Sequence, residues 1–142
     1  MPVQKPHPDA YVSVVFAKRV TGGGSEDLVL HGVGPAFAPV APGEMTGELI
    51  GVLYVTVYFR NPRVGSHEIV VTIREPGSEL DIASFGPEIS ERPSPYDGFE
   101  AKTMKVYVEL ERGLYLFCVK VDGVVRSVLP VVVAEESTLL HE

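Results

Sequence analysis

The sequence predicts an all-β domain, a single antiparallel β-sandwich of about seven to eight strands. Three observations carry that prediction. The apolar residues are dominated by valine, whose branched Cβ suits a pleated strand better than a helix. Gly and Pro together make up 26 of the 142 residues, a density that suits many short strands joined by turns. No stretch carries apolar residues at sustained helical spacing. The length fits one domain of common size, able to bury about two-thirds of its unfolded surface without staples. A mean hydropathy of +0.16 with no Trp predicts an aliphatic core.

The elements follow in order. Residues 1–9 are polar and proline-rich and predict an extended arm. Residues 11–18 (YVSVVFAK) predict the first strand and 27–33 (DLVLHGV) the second, paired as a hairpin across the glycine-rich loop 21–25. Residues 34–47 form a connector with Pro35, Pro39 and Pro42, pinned across the sandwich by Phe37 and Val40. Residues 48–60 form a central strand apolar on both faces, the pattern of a strand covered on both faces. After the turn 61–65, residues 67–75 alternate, with Ile69, Val71 and Ile73 inward. A turn at 76–78 leads to a short edge strand over 80–85. Residues 86–99 have no period, and their prolines at 87, 93 and 95 block ladder hydrogen bonds. A strand resumes over 101–110, with Met104, Val106, Val108 and Leu110 inward. Residues 114–121 and 124–133 flank Asp122-Gly123, the signature of a two-residue type I′ hairpin turn. From 135 a polar tail follows, so the sandwich spans 10–134 between an arm (1–9) and a tail (135–142).

The motifs of this chain resemble a family. They run Gly65 x His67-Glu68 x Val70, then Glu75-Pro76-Gly77, then Gly113-Leu114-Tyr115 x Phe117 x Val119 x Val121-Asp122-Gly123. Upstream stand Leu30-His31-Gly32-Val33 and Phe37-Ala38-Pro39. Together they look like small uncharacterised bacterial β-sandwich domains of unknown function, with the likeness covering roughly residues 28–133. The Gly-x-Tyr-x-Phe-x-Val run is also what many immunoglobulin-like domains show near their last strands. The resemblance implies an immunoglobulin-like fold and no active site.

Charge narrows the function classes. The net charge is −7, and residues 75–100 hold −6 of it through seven acids and one base. An acidic segment repels phosphate backbones, which disfavours nucleic acid as a partner. The lone Cys118 excludes an internal disulfide and fits a reducing cytoplasm. The N-terminal stretch lacks an apolar core before a cleavage site, so no signal peptide is expected. The longest apolar stretch, 49–59, is too short to span a bilayer as a helix.

Candidate chemistry is sparse, and neither a cofactor nor a resident metal is expected. His31 and His67 sit at strand ends with no ligand at metal spacing. A hydrolase built on either needs a Ser or Cys within hydrogen-bond reach. Cys118 reads as a small buried apolar side chain; the alternative is a thiol nucleophile with Lys120 on the same face. The acids Asp81, Glu88, Glu91 and Asp97, with Tyr96, read as a solvated edge or as a cation or glycan site on the loop 86–99. The remaining oddity is apolar surface on outer faces: Ile50, Val52, Tyr54 and Tyr58 on the central strand, and Leu116 and Cys118 on the strand over 114–121. Connector, arm or a second subunit would cover it. The function expected is therefore a non-enzymatic binding or structural module with protein partners, self-associating as a homodimer. The alternatives are a ligand- or cation-binding sandwich and a small hydrolase.

Overall fold

In the computed structural model, which describes residues 9–23 and 26–136, the chain is all-β. Ten strands are formed: β1 (Asp9–Ala17), β2 (Arg19–Gly23), β3 (Glu26–His31), β4 (Ala36–Pro39), β5 (Thr46–Arg60), β6 (Gly65–Arg74), β7 (Ala83–Arg92), β8 (Gly98–Glu111), β9 (Gly113–Val121) and β10 (Val124–Ala134). They make a three-stranded sheet β1-β5-β8, a five-stranded sheet β4-β10-β9-β6-β7 and a two-stranded ribbon β2-β3. All pairings are antiparallel except β4 with β10. Among the described residues no helix is long and apolar enough to cross a membrane.

Alternation builds one core between the two larger sheets. On β5 the odd positions Leu49, Leu53, Val55, Val57 and Phe59 are fully buried. They meet Ile69, Val71 and Ile73 of β6 and Phe117 and Val119 of β9 in one continuous cluster. Truncating a ring such as Phe59 or Phe117 to Ala costs about 3–5 kcal/mol at sites of this kind. At the β9–β10 turn Asp122 and Gly123 both take positive φ, 51° and 82°, as a type I′ turn requires. The Asp122 carboxylate also ties that turn to β6. Its Oδ1 accepts from the Glu68 amide at 2.9 Å, and its Oδ2 lies 2.6 Å from Nδ1 of the fully buried His67. The other ring nitrogen faces the Arg63 carbonyl at 2.7 Å, and since a carbonyl only accepts, Nε2 donates.

Ten strands replace the seven to eight expected, and the surplus has physical causes. The first predicted strand breaks at Lys18. Its first part, β1, pairs with β5, while the hairpin is made by β2 and β3. The connector contains β4, four residues that follow Pro35 and end on Pro39. Ala36 and Ala38 are buried and small enough for β4 to lie against β10. The edge strand expected at 80–85 is β7, displaced to 83–92, so most of the segment 86–99 is ladder rather than loop. Pro87 is accommodated because the register shifts opposite Val70, between Ile69 and Val71. A bulge on an edge strand asks nothing of the missing amide. Residues 93–97 alone lie outside a strand between β7 and β8. The expected arm and tail lie outside the described residues except for Asp9, which belongs to β1, and Glu135 and Glu136.

Candidate functional site

The outward residues of the three-stranded sheet line up in rows. Tyr11, Tyr58 and Phe99 are directly opposite one another across β1, β5 and β8. Their rings follow at centroid distances of 6.5 and 4.8 Å. The next row is Ser13, Thr56 and Ala101, and the next Val15, Tyr54 and Thr103. None of these nine side chains is charged. Tyr11 and Phe99 are 57% and 69% exposed, so no loop of the described chain covers the aromatic row.

The middle ring of the row, Tyr58, is fixed by a polar clamp. The Tyr58 hydroxyl donates to Asp97 Oδ2 at 2.9 Å and the Asn61 amide donates to Oδ1 at 2.8 Å. The amide bond first, and the hydroxyl second, hold the Asp97 carboxyl below the usual carboxylate range. The same hydrogen bond raises the Tyr58 phenol. Asn61 adopts φ 49° in the tight turn after β5, a conformation Asn tolerates better than most residues.

The outward face of the five-stranded sheet is arranged differently. Thr72 pairs with Cys118, and Arg74 with Leu116. The β6–β7 loop brings Asp81 back over this face. Its carboxylate takes Arg74 at 2.6 Å and Lys120 at 3.7 Å, two cations that flank the Thr72–Cys118 row. Arg74 is the main reason the Asp81 carboxyl sits below its ordinary range. Thr72 and Cys118 are buried and Leu116 is half-buried.

The six outer-face candidates from the sequence thus divide. Ile50, Tyr54 and Tyr58 lie on the open face, and Ile50 is exposed. Val52 shares that face but is buried, at the floor of a groove walled by Arg19, Val20 and Lys105. Leu116 and Cys118 lie on the bridged face of the other sheet. Tyr11, Phe99 and Tyr107 were missed as a group. Alternation alone puts Tyr11 and Tyr107 outward, but only the register aligns Tyr11 with Tyr58 and Phe99.

The acidic candidates do not converge. Asp81 is bridged over the five-stranded sheet, and Asp97 holds the turn after β5. The Ser66 hydroxyl donates to Glu91 at 2.6 Å. Glu88 is half-buried on β7, opposite Ile69, and Tyr96 is exposed in the 93–97 turn. Among the described residues no group of three or more His, Cys, Asp or Glu stands where it could hold a metal ion. His31 bonds the Thr21 hydroxyl at 2.8 Å, and His67 is spent on Asp122 and Arg63, so neither ring bonds a serine or the cysteine. Compared with protein-family models, with curated proteins and with solved structures, the chain matches none.

Proposed function

We propose that this chain is a non-enzymatic binding module, an immunoglobulin-like β-sandwich that associates with a second copy of itself through the outer face of β1-β5-β8. The observation that carries this reading is the uncharged face with its aromatic row, left uncovered by the described chain. A two-fold pairing needs a surface that complements itself. Three charge-free rows meet that need, because no ion has to be desolvated or matched when two such faces close. The exposed rings of the aromatic row supply the apolar surface of the face, and exposed apolar surface grouped in this way on a domain usually marks association. With strands about 4.8 Å apart and rows about 6.8 Å apart, the face of three strands and three rows is roughly 15 by 20 Å. That is below the standard size of specific interfaces and among weak, transient contacts, so its dissociation constant is expected no tighter than the micromolar range.

The immunoglobulin-like reading is supported by topology. The chain passes from β8 in one sheet to β9 in the other, as at the corner between the sheets of such domains. Just after that crossing the Tyr115 hydroxyl donates to the Glu111 carbonyl at 2.8 Å, the arrangement of a tyrosine corner. Two residues on, where antibody domains carry a cysteine, stands the fully buried Phe117. A single buried thiol suits a reducing cytoplasm. The motif likeness to small bacterial β-sandwich domains agrees with this placement.

Sedimentation equilibrium over a concentration series tests the association. The natural chain is expected to shift from monomer to dimer across the micromolar range. Thr56→Arg, which plants a cation in the middle row, is expected to remain monomeric. A natural chain that stays monomeric to several hundred micromolar, about a hundredfold above that range, overturns the reading.

A further inference from the structure

Three cations around one groove have no partner among the described residues. Lys18, Arg19 and Lys105 make no hydrogen bond or ion pair among the described residues, whereas Arg74, Lys102, Arg112 and Lys120 each hold a carboxylate. In a chain with net charge −7, acids are in excess, yet among the described residues none is directed to these three. All three line a groove of about 320 Å³ floored by Gly51 and Val52. The pairing explains their convergence: Ala17, Val52 and Lys105 form one outward row, and Lys18 and Arg19 follow Ala17 directly. Gly32 helps to hold Lys18 there. Its φ is +69°, and a Cβ on it would lie 2.9 Å from Lys18 Cγ, so the lysine stem rests on a surface only glycine provides.

The groove continues past Lys18 and Ile50 into an apolar trough of about 680 Å³ over Phe16, Val33, Pro35, Phe37 and Pro39. Two carboxylates, Glu48 and Glu136, also border this trough, and the Tyr107 hydroxyl donates to Glu48. The groove is therefore polarised, cationic at Arg19 and Lys105, apolar along the trough and acidic beside it. Its volume lies within the roughly 300–1,000 Å³ of small-molecule sites.

We infer that this groove binds an amphipathic organic anion, a free long-chain carboxylate. The carboxylate sits among Lys18, Arg19 and Lys105, and the chain lies along the trough over Phe16 and Phe37. The acids bordering the trough disfavour the reverse orientation. The groove meets the proposed association face at Ile50 and Val52 but lies beyond its charge-free rows, so the inference does not depend on dimer formation.

The probe is dodecanoate below its micelle concentration, titrated calorimetrically into the natural chain, with dodecyltrimethylammonium as the same chain bearing the opposite charge. Saturable one-to-one binding of dodecanoate is expected, with the ammonium compound bound about tenfold more weakly or worse. The triple substitution K18Q/R19Q/K105Q is expected to weaken dodecanoate about tenfold, the sum of three exposed charge contacts. Val33→Glu, at an exposed position in the trough, is expected to weaken it comparably. Unchanged circular dichroism and thermal midpoints keep both variants interpretable. Equal binding of both amphiphiles, undiminished binding by the triple variant, or no saturable binding overturns the inference. Sedimentation of the same samples separates the two readings. A monomer that binds dodecanoate refutes self-association alone, and a dimer that ignores it refutes the groove alone.

Discussion

The outer faces of the two larger sheets start from similar sequence and end differently. Both lie on strands with apolar residues on each side. On the five-stranded sheet, Thr72 and Cys118 are buried, and Asp81 bridges Arg74 and Lys120 across them. On the three-stranded sheet the equivalent rows carry no ion pair, and the ring row Tyr11–Tyr58–Phe99 is open. The difference lies in what the neighbouring loop supplies. The β6–β7 loop carries an acid that returns over its sheet. The turn 93–97 instead uses its acid, Asp97, on the rim, bonding Tyr58 and Asn61. A two-sided apolar strand therefore marks a surface that needs cover without saying which chain provides it.

The contrast can be broken most forcefully by placing one charge on each face. Cys118→Arg adds an unpaired cation at a buried site already flanked by Arg74 and Lys120. It should cost about 3–5 kcal/mol in urea unfolding, while Thr56→Arg on the open face changes stability by less than about 1 kcal/mol. Equal losses at both sites would mean that the two faces are covered alike.

A smaller effect is expected from removing the bridge itself. Asp81→Ala should lower the urea unfolding midpoint only slightly, and far less than Cys118→Arg does, because the ion pair it removes is screened by solvent. Thiol labelling reads the cover more directly: Cys118 should react faster with a small thiol reagent in the variant than in the natural chain. Identical labelling rates would show that Asp81 contributes nothing to the cover.

The smallest effect is the pH dependence. Asp81 and Asp97 both have folded carboxyls held below their ordinary range. The unfolded chain therefore binds more protons than the folded one in acid. Their contribution is complete above about pH 4 and is lost as pH falls through the depressed folded values. Unfolding midpoints of D81N and D97N should accordingly fall less steeply with acid than those of the natural chain. A slope unchanged in both would remove the two clamps from the account.

How much of this was legible in the sequence depends on the range of the interaction. The all-β class, the inward sets on β5, β6 and β8, and the Asp122-Gly123 turn follow from alternation and from residues adjacent in the chain. β4 was hidden because four residues, the last of them a proline and another proline just before the first, have no period, and only the parallel contact with β10 makes them a strand. β7 was misplaced because a proline in a ladder reads as a break unless the bulge opposite is known. The outer-face residues were visible as apolar and outward, but the cover over Cys118 depends on Asp81 reaching across two strands. The alignment of Tyr11, Tyr58 and Phe99 likewise needs a register that links positions far apart in the chain.

The central claim is that the open face is closed by a second copy while the bridged face is not. Amide chemical shifts followed through dilution test it residue by residue. Shifts at Tyr11, Ser13, Val15, Tyr54, Thr56, Tyr58, Phe99, Ala101 and Thr103 should move with concentration, and those at Thr72, Leu116 and Cys118 should stay fixed. Shifts that ignore concentration throughout, or that move only on the five-stranded sheet, would contradict it.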